Sequence, residues 1–169
     1  MSNKLGRATD QRLALLKNQV SYLLWNGKIE TTFARAKAIQ KLADKYLTLA
    51  INTYQDVLKV TKTKKVKGVD TQVEVLNDGP TKLAARRRLM ARLSDMQETK
   101  GKKESLTAYR MRTEDVKHPL IEKMFNEYAP KFDKRSQELG QKGGYTAVHK
   151  LGMRRGDAAQ MALIEILPI

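Results

Sequence analysis

Gly143-Gly-Tyr-Thr-Ala-Val-His-Lys-Leu-Gly-Met-Arg-Arg-Gly-Asp-Ala-Ala-Gln-Met-Ala-Leu-Ile-Glu-Ile166 ends the chain with two strand-like runs around a turn. The turn holds Arg154 and Arg155 between Gly152 and Gly156. Glycine accepts φ > 0 without a Cβ clash, so the stretch reads as a β-hairpin. A turn has no conformational need for two arginines, so the charge at the tip asks for a partner.

Upstream of the hairpin, Pro119 suits the first turn of a helix lined by Leu120, Met124, Phe125 and Tyr128, which Pro130 ends or bends. At the other end of the chain, Leu13, Leu16, Val20, Leu23 and Leu24 recur at helical spacing up to about Asn26, with Thr9 or Asp10 as cap and Gly27 as stop. Lys28-Ile-Glu-Thr-Thr32 is short and rich in β-branched residues, hence a strand. A second helix from Phe33 to about Asn52 carries the buried stripe Ala36, Ile39, Ala43, Tyr46, Leu47 and Ala50. A third, from Lys82 to about Met96, turns Leu83, Met90, Leu93 and Met96 inward. The fold class is therefore α/β in the α+β sense: a two-layer sandwich with a three- to four-helix layer on a small mixed sheet, in the order α-β-α-α-α-β-β. The 169 residues fit one domain, 1–169, with a basic arm at 1–8. Residues 55–80 are an inserted lysine-rich hairpin or loop, and 97–112 an inserted charged loop.

The net charge is +15, from 33 basic and 18 acidic residues. Self-repulsion of that size favours a polyanionic partner, and nucleic acid is the commonest. Residues 1–50, with nine basic against three acidic side chains, are the most one-signed part. The apolar runs are far shorter than the roughly 20 residues of a membrane span, and the N-terminus lacks the apolar core of a signal peptide, so no membrane partner and a cytoplasmic location are expected. The chain has no cysteine, which excludes disulfides and thiolate chemistry. The two histidines, His118 and His149, have no spaced partners for a metal box, and no Gly-x-x-x-x-Gly-Lys-Ser/Thr loop occurs, so neither cofactor nor small-molecule substrate is expected. Arg155-Gly-Asp157 matches an integrin-binding triplet, which occurs by chance in many chains.

Three segments together resemble the bacterial large-subunit ribosomal protein family called L-seventeen. The first is Lys4-Leu-Gly-Arg7 with Asp10-Gln-Arg12; the second is Gly27-Lys-Ile-Glu-Thr-Thr32 with Arg35-Ala-Lys37 and Leu47-Thr-Leu49. The third joins Phe125-Asn-Glu127 and Ala129-Pro-Lys-Phe132 to Gly143-Gly-Tyr-Thr146, Gly152, Arg154-Arg-Gly-Asp-Ala-Ala159, Met161-Ala162 and Ile164-Glu165. Ala147 stands where the family usually has a basic residue, and Met153 and Gln160 where proline is common. Residues 55–80 and 97–112 have no counterpart in short family members. The resemblance implies a structural protein of the large ribosomal subunit, bound to 23S rRNA and neighbouring ribosomal proteins near the nascent-chain exit.

Candidate RNA contacts follow from charge and placement. A charge run is ordinarily a solvated face, but Lys4, Arg7, Arg12 and Lys17 lie in an acid-poor segment that begins with an arm. Arg35, Lys37 and Lys41 decorate the second helix. Arg86, Arg87, Arg88 and Arg92 cannot all face one way, so one or two of them snorkel or pair with acids and at least two meet phosphate. Lys142, Gly143 and Gly144 form a turn whose glycines let backbone amides approach a phosphate, and Arg154 and Arg155 occupy the hairpin tip. Tyr145 either stacks on a base or sits in the core, with core packing favoured, and Trp25 is core or half-core or faces a neighbouring protein. A free nucleoid protein binding DNA would share the charge, but no helix-turn-helix, zinc or dimer signature supports it.

Overall fold

The computed structural model describes residues 4–66, 69–114 and 116–167. Residues 1–3 of the expected arm and Lys67-Gly68 of the expected insertion lie outside them. The helices are α1 (Thr9–Asn26), α2 (Phe33–Ile51), α3 (Pro80–Arg92), α4 (Leu106–Thr113), α5 (Pro119–Lys123) and α6 (Ala129–Leu139), with a π-helical turn, Met124–Tyr128, joining the last two. The strands are β1 (Lys28–Thr32), β2 (Val57–Val66), β3 (Val69–Asp78), β4 (Thr146–Met153) and β5 (Gln160–Ile166). The α+β reading holds.

Two details of it change. The three-stranded sheet, ordered β1-β5-β4, is antiparallel throughout rather than mixed. A strand followed by a helix commonly returns to a parallel neighbour, but here β1 and β4 both run alongside β5 and never meet each other. Of the two alternatives for residues 55–80, the hairpin holds: β2 and β3 pair as a separate two-stranded ribbon. Within 97–112, the expected loop gives way to α4 from Leu106 onward, because the Ser105 hydroxyl oxygen accepts from the Ala108 amide (3.1 Å) and caps it.

The core lies between the sheet and the helices, with α2 at its centre. All six residues of the expected α2 stripe are buried. They meet Val20, Leu23 and Leu24 of α1, Leu120, Met124, Phe125 and Phe132 from Pro119–Leu139, and Ala162 and Ile164 of β5. Leu13 is not part of this core; it is 60% exposed because it precedes the stretch of α1 that the other helices cover. On α3 Ala85 and Leu89 are buried, with Leu93 buried at its C-terminal cap, while Leu83 stays 37% exposed. The three buried residues sit at i, i+4 and i+8, the one uncharged row left between the arginines.

Local chemistry sets the element ends. Gly27 takes the left-handed conformation (φ 82°) and its amide bonds the Leu23 carbonyl (2.8 Å), stopping α1. Neither Thr9 nor Asp10 caps α1; the helix starts one residue earlier than expected, with Ala8 in the cap position and Asp10 in the first turn. Pro130 does not end its helix, which runs on to Leu139. The wider turn at Met124–Tyr128, closed by the Ala129 amide on the Met124 carbonyl, accommodates a residue that has no N–H and whose ring crowds the preceding turn. That turn also delivers the Tyr128 hydroxyl to the Leu24 carbonyl (3.0 Å) and follows Lys123, whose Nζ donates to the Trp25 carbonyl (2.7 Å), so orphan carbonyls at the end of α1 are satisfied from outside. Burial pushes the Tyr128 hydroxyl up to about 12.

Shortening a fully buried α2 side chain leaves a cavity at the centre of this packing. Leu47→Ala is expected to cost about 2–5 kcal/mol, read as a lower urea midpoint with an unchanged m-value; a loss below about 1 kcal/mol would contradict the central place given to α2.

Candidate nucleic-acid interface

Burial of the α2 stripe leaves Lys37, Lys41 and Lys45 on the opposite side, four residues apart and all exposed. They form one row about 12 Å long. Gln40 donates to the Thr146 carbonyl (3.0 Å) and the Thr146 hydroxyl donates to Asp44 (2.9 Å), which pins β4 beside this row. Lys150 of β4 then reaches the Phe33 ring (5.1 Å to its centroid), which Lys37 also covers (5.9 Å). At the other end of the row, Lys45 lines a cleft with Arg88 and Arg92 of α3. The result is a basic ridge running from β4 along α2 to α3. None of its six cations forms an ion pair among the described residues, and Asp44, the acid inside the row, is turned toward Thr146. Burial raises the Asp44 carboxyl, against hydrogen bonds from Thr146 and the Tyr145 amide that pull it down.

The other expected residues are distributed around this ridge. Lys4 and Arg7 are exposed on the arm, while Arg12 is half-buried on α1. Lys17 lines a cleft that also holds Asp95 and His118. Arg35 is half-buried and lies off the α2 row. Arg87 is exposed. Arg86 is the arginine of the α3 set that pairs internally. Its Nε meets Asp78 (2.7 Å), its Nη1 meets Glu122, and its guanidinium lies over Phe125 (5.3 Å). It therefore ties the foot of the β2–β3 ribbon to α5. Burial alone would raise Asp78, but hydrogen bonds and charges from Lys82 and Arg86 hold it below the usual carboxylate range.

Lys142, Gly143 and Gly144 form a shaped loop, with φ of 89° and 59° at the two glycines. The loop is held by Arg135, a buried residue with no place in the sequence-based set. Its guanidinium donates to the Gly143 carbonyl (2.7 Å) and packs on Phe132 (5.1 Å) and Tyr145 (5.6 Å). With the Gly143 carbonyl turned to Arg135, trans geometry directs the Gly144 amide the other way. Tyr145 is core, as expected, and Trp25 is half-buried under Lys123 (5.5 Å).

At the hairpin tip, Arg154 makes a bidentate pair with Asp157 (2.9 and 2.6 Å), while Arg155 is exposed. The left-handed residue of the turn is Ala158 (φ 52°), not Gly156. Gly152 (φ 101°) instead sits in a β-bulge after Lys150.

The sequence pattern of the family described as ribosomal protein L17 matches residues 15–167. The chain belongs to the ribosomal protein L17 family. Among similar proteins, the large ribosomal subunit protein bL17 of Lachnospira eligens is 36% identical over 97% of both chains. Those of Oenococcus oeni and Clostridium tetani are 36% and 32% identical over 97% of this chain and 96% of theirs. The matched pattern begins at residue 15, so it covers the whole ridge but not the arm.

Sequence reasoning missed Lys45, Lys150 and Arg135 as contributors in this L17-family chain. Lys45 was readable from its spacing with Lys37 and Lys41. Lys150 joins the ridge only through the packing of β4 on α2. Asp56 was missed as well. Lying just before β2, it caps α3 from a distance, its Oδ2 accepting from the amides of Thr81 (2.8 Å) and Lys82 (3.3 Å) and from the Thr81 hydroxyl. A Cβ on Gly79 would overlap the Asp56 carboxylate. Gly79→Ala is therefore expected to displace Asp56 and to speed hydrogen exchange at the Thr81 and Lys82 amides; unchanged protection would refute this capping role.

The hydrogen bonds from Arg154 hold the Asp157 carboxyl down at about 2. A depressed carboxyl stabilises the turn above its ordinary value near 3.8, and the effect fades as pH falls toward about 2. Carboxyl NMR titration should show Asp157 ionised at pH 3, with Arg154→Ala moving its midpoint back up; an unmoved midpoint would assign the shift elsewhere.

Proposed function

We propose that this chain is a structural component of the large ribosomal subunit that binds 23S rRNA through phosphate contacts and holds rRNA helices together near the nascent-chain exit. Membership of the ribosomal protein L17 family supports a structural role in the ribosome. The observation that carries the RNA reading is the basic ridge of Lys150, Lys37, Lys41, Lys45, Arg88 and Arg92. Six cations converge there without carboxylate partners among the described residues, a surface suited to a phosphate backbone. The arm residues Lys4 and Arg7, with Arg12 and Lys17, extend the positive surface, and Arg35, Arg87, Lys142 and Arg155 add peripheral contacts. The Gly144 amide offers a neutral donor to a phosphate oxygen. Arg86 and Arg154 act by holding the ribbon and the hairpin turn in place. Neighbouring ribosomal proteins complete the partners, and no reaction is catalysed.

Phosphate contacts position without reading sequence, and the A-form major groove is hard to enter. Selectivity therefore comes from the shape of an rRNA junction that fits the ridge and arm together. Binding to 23S rRNA fragments should exceed binding to duplex DNA at the same salt; equal affinity would favour a free nucleoid protein instead. Charge reversal of Lys37, Lys41 and Lys45 should flatten the plot of log K against log salt by about two to three. A slope that does not change would remove the ridge from the interface.

The β2–β3 ribbon stands apart from the three-stranded sheet, so it is peripheral in this reading. Deletion of residues 57–76 should leave the protein co-sedimenting with large subunits in a high-salt gradient, whereas complete loss from the subunits would make the ribbon essential.

A further inference from the structure

The cleft between α2 and α3 has a chemistry that phosphate neutralisation alone does not use. Its lining alternates by helix: Lys45, Tyr46 and Leu49 from α2 face Arg88, Leu89 and Arg92 from α3. The three charged groups are all cationic and exposed, so they form a rim, while Leu89 is fully buried and Leu49 half-buried. Tyr46 is only 7% exposed, and its hydroxyl is the part that keeps contact with solvent at the cleft. The cleft volume is about 180 Å³. That is below the roughly 300–1,000 Å³ of a site that engulfs a drug-sized ligand. It suits a flat ring whose charged remainder stays outside.

We propose that this cleft receives one unstacked base of RNA, with the ring against Leu49 and the accessible edge of Tyr46 and the flanking phosphates on Lys45, Arg88 and Arg92. The proposal rests on the RNA-binding reading and adds a base-inserting subsite to it. An apolar pocket under a cationic rim is how proteins hold splayed bases of loops and bulges, since a paired base cannot leave its stack without cost. The Tyr46 hydroxyl supplies a hydrogen bond to the base edge. One such site would fix the register of the whole ridge on its RNA, which the phosphate contacts cannot do alone.

The test uses the full chain and two RNA hairpins that differ by one bulged 2-aminopurine. The bulged hairpin should bind on the order of tenfold tighter than the fully paired one, with a change in 2-aminopurine fluorescence. Leu49→Trp fills the cleft and should abolish both the preference and the fluorescence change, leaving affinity for the paired hairpin unaltered. Tyr46→Phe keeps the ring and removes the hydroxyl, and should reduce the preference several-fold even if the tryptophan variant does not fold. Equal binding of the two hairpins by the wild-type chain, or a preference that survives in folded Leu49→Trp or in Tyr46→Phe, overturns the subsite while the ridge stands. Failure to bind either hairpin or 23S rRNA fragments overturns both readings.

Discussion

Burial of one face of α2 is the constraint on which the rest of the structure depends. Ala36, Ile39, Ala43, Tyr46, Leu47 and Ala50 face α1, the Pro119–Leu139 helix and β5 at once. Ala36, Ala43 and Ala50 recur every seven residues, and their small side chains let neighbouring elements come close. Because helix geometry is rigid, fixing that face inward fixes Lys37, Lys41 and Lys45 outward. The packing of the core and the charge of the surface are thus two sides of one helix. The residues between them, Gln40 and Asp44, grip Thr146 and so place the sheet edge beside the basic row.

The acids of this strongly basic chain are placed rather than scattered. Asp78 and Glu122 take Arg86 and Lys82, Asp157 takes Arg154, and Asp56 takes the first amides of α3. Each is spent at a junction: the foot of the ribbon, the hairpin turn, the start of the arginine helix. The exposed pair Arg154–Asp157 adds little stability in water, but it shapes the tip. Among the described residues the ridge cations form no ion pair, and Asp44, the acid within the row, is engaged by Thr146. These cations repel one another along α2 and between α2 and α3, a destabilising arrangement that a polyanion relieves.

Much of the fold was legible. The α2 stripe was readable residue by residue because a helix buried on one face and charged on the other shows its period plainly. The C-terminal strands were readable from two strand-like runs around a glycine-flanked turn, and the Gly27 stop from its position after an apolar series. Legibility failed where a local signal had a distant competitor. Leu83 has the same apolar character as Leu89, and only the position of α5 and α2 decides which is covered. The start of α3 near Lys82 was readable, but not its cap, which is Asp56 from before the ribbon. The left-handed residue of the hairpin turn was assigned to glycine by propensity, yet Ala158 takes it.

Among the candidate RNA contacts, the sequence alone determined which residues carry charge, that acids are sparse around α1 and α2, and that Lys37 and Lys41 share a face. It determined these because they depend on composition and on helical period, both of which are local. The tertiary structure decided which cations meet: Lys150 joins Lys37 across Phe33, and Arg88 and Arg92 join Lys45 across a cleft. It also decided that Arg86 is consumed internally, and that Arg135 shapes the Gly143-Gly144 loop. Those outcomes depend on contacts between residues tens of positions apart in the chain, where no periodicity connects the partners and only the packing of whole elements brings them together.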